Sequence, residues 1–129
     1  VMERLDREKL DSLYSALETH NRALEQGYSK RILLADMEFH LILASISGDD
    51  ICERLLRYLF EMLYLKYRTE ILFTHPRGEF AAQHKVLLEL LEAGDEDGAR
   101  QLLSDHILSV RDRVLESMRR NLEDEQLVL

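Results

Sequence analysis

Apolar residues recur at every third or fourth position along almost the whole chain, and the pattern breaks in only a few places. That period marks helices that each turn one side toward a common core. The breaks carry residues suited to ending or starting a helix: Gly27, Gly48, Gly94 and the segment Thr74-His75-Pro76. Glycine readily takes the left-handed conformation of a helix C-cap, and proline is pre-shaped for a first helical turn. With one proline and five glycines in 129 residues, and Leu, Glu, Arg and Ala dominant, little competes with helix. There is no strand-like alternation, internal repeat or low-complexity tract.

The spacing predicts a first helix from about Asp6 to Gln26, with Leu10, Leu13, Leu17, His20 and Leu24 on its apolar side. Ser29 is the expected N-cap of a second helix that reaches about Ser47. Asp49 or Asp50 should cap a third, from about Ile51 to Phe73. Leu55, Leu59, Met62 and Leu65 line one side of that helix; Leu56, Phe60, Leu63 and Tyr67 line the other. A helix apolar on two sides is central or lies in an interface. The fourth helix, from about Pro76 to Ala93, presents Phe80, His84, Leu87 and Leu91. After the Gly94-Asp95 stop a last helix to about Asn121 presents Ala99, Leu103, His106, Val110 and Val114, and Leu122 to Leu129 should fray. The expected fold is an all-α antiparallel bundle of about five to six helices with short connections.

One domain is the natural division of a chain this short. Its apolar runs are too short and too interrupted by charge to span a bilayer, and no signal peptide is expected. The single cysteine, Cys52, leaves no internal disulfide, suits a reducing cytoplasmic setting and reads as structural. The formal net charge of −8 should repel a phosphate backbone, so any contact with DNA falls to another domain.

Asp36 and His40 stand four residues apart and therefore share one helix face, among the apolar residues Ile32, Leu33, Met37, Phe39 and Leu43. A carboxylate in such a place needs a partner. His84 and His106 occupy apolar-stripe positions on two further helices. Helices of a bundle can aim such side chains at one interior point, and three imidazoles with one carboxylate suit zinc or nickel, then manganese or iron(II). The same pattern also fits a buried Asp36–His40 pair and hydrogen-bonded core histidines, so spacing alone leaves both readings open. His20 lacks a second donor nearby and reads as a core-edge residue, while His75 reads as solvated. Gly94-Asp95-Glu96-Asp97-Gly98 lacks the alternating oxygens of a calcium loop and reads as an acidic helix start.

Taken together, "ADMEFHLILASISGDD" and "EFAAQHKVLLELLEAGDEDGARQLLSDHI" resemble the FCD domain, the C-terminal ligand-binding domain of FadR-subfamily regulators in the GntR family. Asp36, Phe39 and His40, then Ser47-Gly48, His84, Gly94-Asp95, Ala99, His106 and Ile107 carry the likeness, with 22 residues from His84 to His106. It covers about Asp6 to Met118. The resemblance implies an interior metal held by Asp36, His40, His84 and His106, open coordination positions for a small organic acid, and a homodimer. It also implies an N-terminal winged helix-turn-helix that contacts DNA. That domain, and a first domain helix that often contributes an arginine, are expected to lie outside this chain.

A carboxylate effector calls for a cationic or phenolic partner. Arg68 and Tyr64, one turn apart on the expected third helix, are the candidates, with Arg57 and Tyr58 behind them; a solvated face laced by Arg57–Glu61 pairs is the plainer alternative. A metal-dependent hydrolase would need a general base, and Glu38 points far from His40, two residues advancing about 200° around a helix. A helical dimerisation module with merely structural histidines is the remaining option.

Overall fold

The computed structural model describes residues 5–73, 78–121 and 128. Thr74-His75-Pro76 and most of Leu122 to Leu129 lie outside the described residues. The architecture is an all-α bundle: α1 (Arg7–Gln26), α2 (Ser29–Ile46), α3 (Asp50–Lys66), α4 (Thr69–Leu72), α5 (Gly78–Glu92) and α6 (Glu96–Asn121). Among the described residues no helix is long and apolar enough to cross a membrane.

The helix ends follow local chemistry. Asp6 caps α1 by accepting from the Lys9 N–H, and Asp49 caps α3 by accepting from Ile51 and Cys52. Gly27, Gly48 and Gly94 take positive φ at or just beyond the ends of α1, α2 and α5, a conformation that costs a side-chain-bearing residue. Ser29 is not a cap: it is the first residue of α2, and Tyr28 holds the cap position without a side-chain bond. Cys52 is exposed on α3 rather than packed.

α1 packs on α2 and α5, α5 on α6, and α2 also meets α3 and α4. Leu13, Ala16 and Leu17 of α1, Phe39, Leu43 and Ile46 of α2, Leu87, Leu88 and Leu91 of α5 and Ala99 of α6 form the core. Burial of this many aliphatic side chains, each favourable by about 1.5–3 kcal/mol, is what draws the helices together.

The expected third helix is two. α3 stops at Lys66, Tyr67 is extended, and α4 starts again at Thr69. The cause lies on another helix. Lys30 of α2 donates to the Tyr64 carbonyl and sits 4.5 Å from its ring centre. In a continuous helix that carbonyl would receive the Arg68 N–H. The break lets α4 turn inward between α2 and α6, with Thr69 and Leu72 fully buried. α3 itself buries no residue completely. Leu56, Phe60, Leu63 and Tyr67 are half-buried, whereas Ile51 (72% exposed), Leu55, Tyr58, Leu59 and Leu65 (70%) stand in the open. Of the two roles that two apolar sides allow, α3 is peripheral, not central, and among the described residues its outer flank is exposed.

Candidate metal centre and its cavity

One turn of α2 carries Asp36 and His40, α5 brings His84, and α6 brings His106. These side chains meet. The Asp36 Oδ1 lies 3.3 Å from His40 Nε2 and 3.4 Å from His84 Nε2, and His84 Nε2 lies 3.2 Å from His106 Nε2. Ring nitrogens of His40, His84 and His106 all fall within 4.8 Å of one another, so the three could hold a metal ion. Phe39 stacks on His84 at 4.3 Å between ring centres, Phe60 flanks His40 and Phe80 meets His106 edge-on. The cluster therefore sits in a largely apolar, aromatic sleeve.

Such surroundings select the protonation states a metal needs. Burial lowers His84 to about 3 and His106 to about 4, so both are neutral at neutral pH and keep a lone pair. Burial also opposes ionisation of Asp36, but the imidazoles around it, His40 first, outweigh that and hold the carboxyl well below the usual carboxylate range. The result is one anionic oxygen close to the neutral imidazoles of His84 and His106.

The tautomers point the same way. His106 Nδ1 donates to Gln83 Oε1 at 2.6 Å, which leaves the lone pair on Nε2, facing the cluster. His84 Nε2 then faces an acceptor nitrogen and an acceptor oxygen together. One N–H cannot serve both well; a cation among them would satisfy every atom. The donor set fits a divalent metal on these grounds.

A cavity of ≈ 70 Å³ opens beside the cluster, with Asp36 and His106 in its wall together with His20, Ile32, Phe73 and Phe80. That is room for a few waters or a very small ligand. The structure does not bring the expected effector-binding residues there. Arg57 and Tyr58 are exposed on the outer flank of α3, Tyr64 is engaged by Lys30, and Arg68 pairs with Glu70 at 3.1 Å. None of the four lines the cavity. Their joint face presupposed one continuous helix, which the break at Tyr67 removes.

Three residues escaped the sequence reading. His20 is not at the core edge but buried, its ring centre 5.3 Å from that of His84. Burial lowers its pKa first of all, against the pull of Asp36. Gln83 holds the His106 tautomer. Arg113 pairs with Glu79 and lays its guanidinium 5.1 Å from the centre of the Phe80 ring, a wall of the cavity. For His20 the stripe position was a signal; for Gln83 and Arg113 only the fold could supply one.

Residues 1–109 match the FCD domain family. The chain belongs to that family. FCD domains are the C-terminal effector-binding domains of FadR-subfamily transcription regulators. Among curated proteins, the "Putative L-lactate dehydrogenase operon regulatory protein" of Escherichia coli (strain K12) is 29% identical over 77 residues, 57% of this chain. The same-named protein of Shigella flexneri matches to the same extent. The match spans 30% of the length of each relative. No solved structure matches the FCD domain significantly.

Proposed function

We propose that this FCD domain senses a small organic acid through a divalent metal ion held by Asp36, His40, His84 and His106, and so modulates DNA binding by a winged helix-turn-helix domain of the same regulator. The reading is carried by the meeting of one carboxylate and three imidazoles from three helices inside an aromatic sleeve. Zinc or nickel suits this donor set best, and manganese or iron(II) are the alternatives. The metal would supply a Lewis-acidic centre for a carboxylate. The residues around the cavity bound the effector's size, with Phe80, Phe73 and Ile32 as apolar walls. The relatives' name includes L-lactate dehydrogenase, which makes a short 2-hydroxy acid the first compound to try. A regulator of this kind works in the cytoplasm, where its DNA is.

An effector shifts a regulator only if it binds one arrangement better than another, and a second copy provides the arrangement. The bare apolar flank of α3, from Ile51 to Leu65, is the surface proposed for a homodimer. A hydrolytic reading finds no support at the cavity: Glu38 is exposed and faces a surface hollow with Thr19 and Arg22 instead.

The test is metal analysis of the purified chain beside a His84→Ala/His106→Ala double variant. One ion per wild-type chain and none in the variant is the expected result. Equal, stoichiometric metal in both removes the proposal.

A further inference from the structure

Four buried polar atoms among the described residues have no hydrogen-bond partner, and two of them belong to neighbouring rings: His20 Nδ1 and His84 Nδ1. Orphaned buried nitrogens are rare enough to need an explanation. A histidine that binds metal through one nitrogen almost always donates from the other, which fixes its tautomer and raises its basicity. His106 has such a partner in Gln83. His84, whose Nε2 faces the cluster, does not.

We propose that His20 is the outer partner of His84, a positioning residue that accepts the Nδ1 hydrogen of His84 and leaves its Nε2 lone pair for the metal. The inference rests on the metal reading above and adds a residue from a fourth helix, α1. The geometry is close. The two ring centres lie 5.3 Å apart with 36° between the planes. An imidazole pair joined by a hydrogen bond of about 2.9 Å has its ring centres about 5 Å apart. As the rings stand neither Nδ1 has a partner, so the proposed bond calls for a turn of the His20 ring about its Cβ–Cγ bond. Phe39 stacks flat on His84 at 7°, which confines that ring while His20 adjusts. Accepting at one nitrogen leaves the hydrogen of neutral His20 on the other, a donor on a ring that lines the cavity.

The experiment measures zinc affinity by competition with a chromophoric chelator for wild type, His20→Leu, His20→Asn and His20→Gln, with melting curves of the metal-free proteins alongside. Loss of an outer partner lowers metal affinity about 10–100-fold, so His20→Leu should weaken zinc by that factor. One of the two amides, which can accept where either ring nitrogen did, should restore most of it. The metal-free His20→Leu protein leaves His84 Nδ1 without an acceptor and is expected to melt lower as well, so zinc affinity is the readout that separates the roles. A purely structural histidine would lose stability and leave zinc affinity alone. Undiminished zinc affinity in His20→Leu overturns the role of His20 while the metal site stands. Absence of zinc binding by wild type overturns both. If His20→Leu does not fold, zinc affinity in His20→Asn and His20→Gln decides: both 10-fold or more below wild type overturns the proposal.

Discussion

Two layers of the same bundle differ in what they ask of their side chains. In one, Leu13, Leu17, Leu43, Leu87, Leu88 and Leu91 fill space, and shape alone satisfies them. In the other, built a few residues away on the same α1, α2 and α5, His20, Asp36, His40 and His84 crowd together with His106 of α6. The leucine layer is complete as it stands. The histidine layer has nitrogens facing nitrogens and two buried Nδ1 atoms without partners. The proposed cation would answer the facing Nε2 atoms, whereas the leucine layer has no use for one, so packing and ligand binding would fall to separate turns of the same helices.

The largest effect of a single substitution is expected in the complete layer. Leu88 is fully buried, and Leu88→Ala should cost about 4 kcal/mol in urea unfolding, with zinc affinity nearly unchanged in the folded fraction. Equal loss of zinc affinity would mean the layers are one unit.

Acid should act on the other layer. His84 and His106 have folded values of about 3 and about 4, below the unfolded value near 6.5, and Asp36 is lowered as well. Between these limits the unfolded chain binds more protons, so this stability is fully present above pH about 6.5 and drains away as pH falls toward about 3. Each of the two histidine shifts corresponds to about 3 kcal/mol between pH 7 and pH 4, so denaturation of the metal-free protein should show a loss of several kcal/mol over that range. Leu88→Ala should show the same slope, since its layer has nothing to titrate.

Zinc comes next. At a hundredfold excess over its dissociation constant, it should stabilise the wild type by about 2.7 kcal/mol and the His84→Ala/His106→Ala variant by nothing, as read by calorimetry. The smallest effect belongs to the outer flank. Leu55→Ser or Leu59→Ser should change monomer stability by less than about 0.5 kcal/mol, because both side chains already stand in water. The same changes should shift light scattering from dimer to monomer. An unchanged mass would leave that flank without its proposed role.

Much of the fold was legible because its signals are local. Gly27, Gly48 and Gly94 end helices through their own backbone freedom, and Asp6 and Asp49 cap helices three residues or fewer away. The pairing of Asp36 with His40 was equally local, since one helical turn dictates it. What stayed hidden depends on a distant segment. Lys30 takes the Tyr64 carbonyl and so divides α3 from α4, and no property of residues 64–69 announces a lysine from α2. That one contact also dissolved the shared face expected of Tyr64 and Arg68. His20 was visible as a stripe histidine, but its neighbour across the bundle was not.

The division of α3 from α4 carries a mechanical corollary. Phe73, which closes α4, forms part of the chamber wall, and the two-residue strap Tyr67–Arg68 ties α4 to the uncovered flank of α3. With Thr69 and Leu72 wedged between α2 and α6, α4 has little slack. An occupant that displaced Phe73 would therefore act on a short link whose far end is the flank proposed for a homodimer.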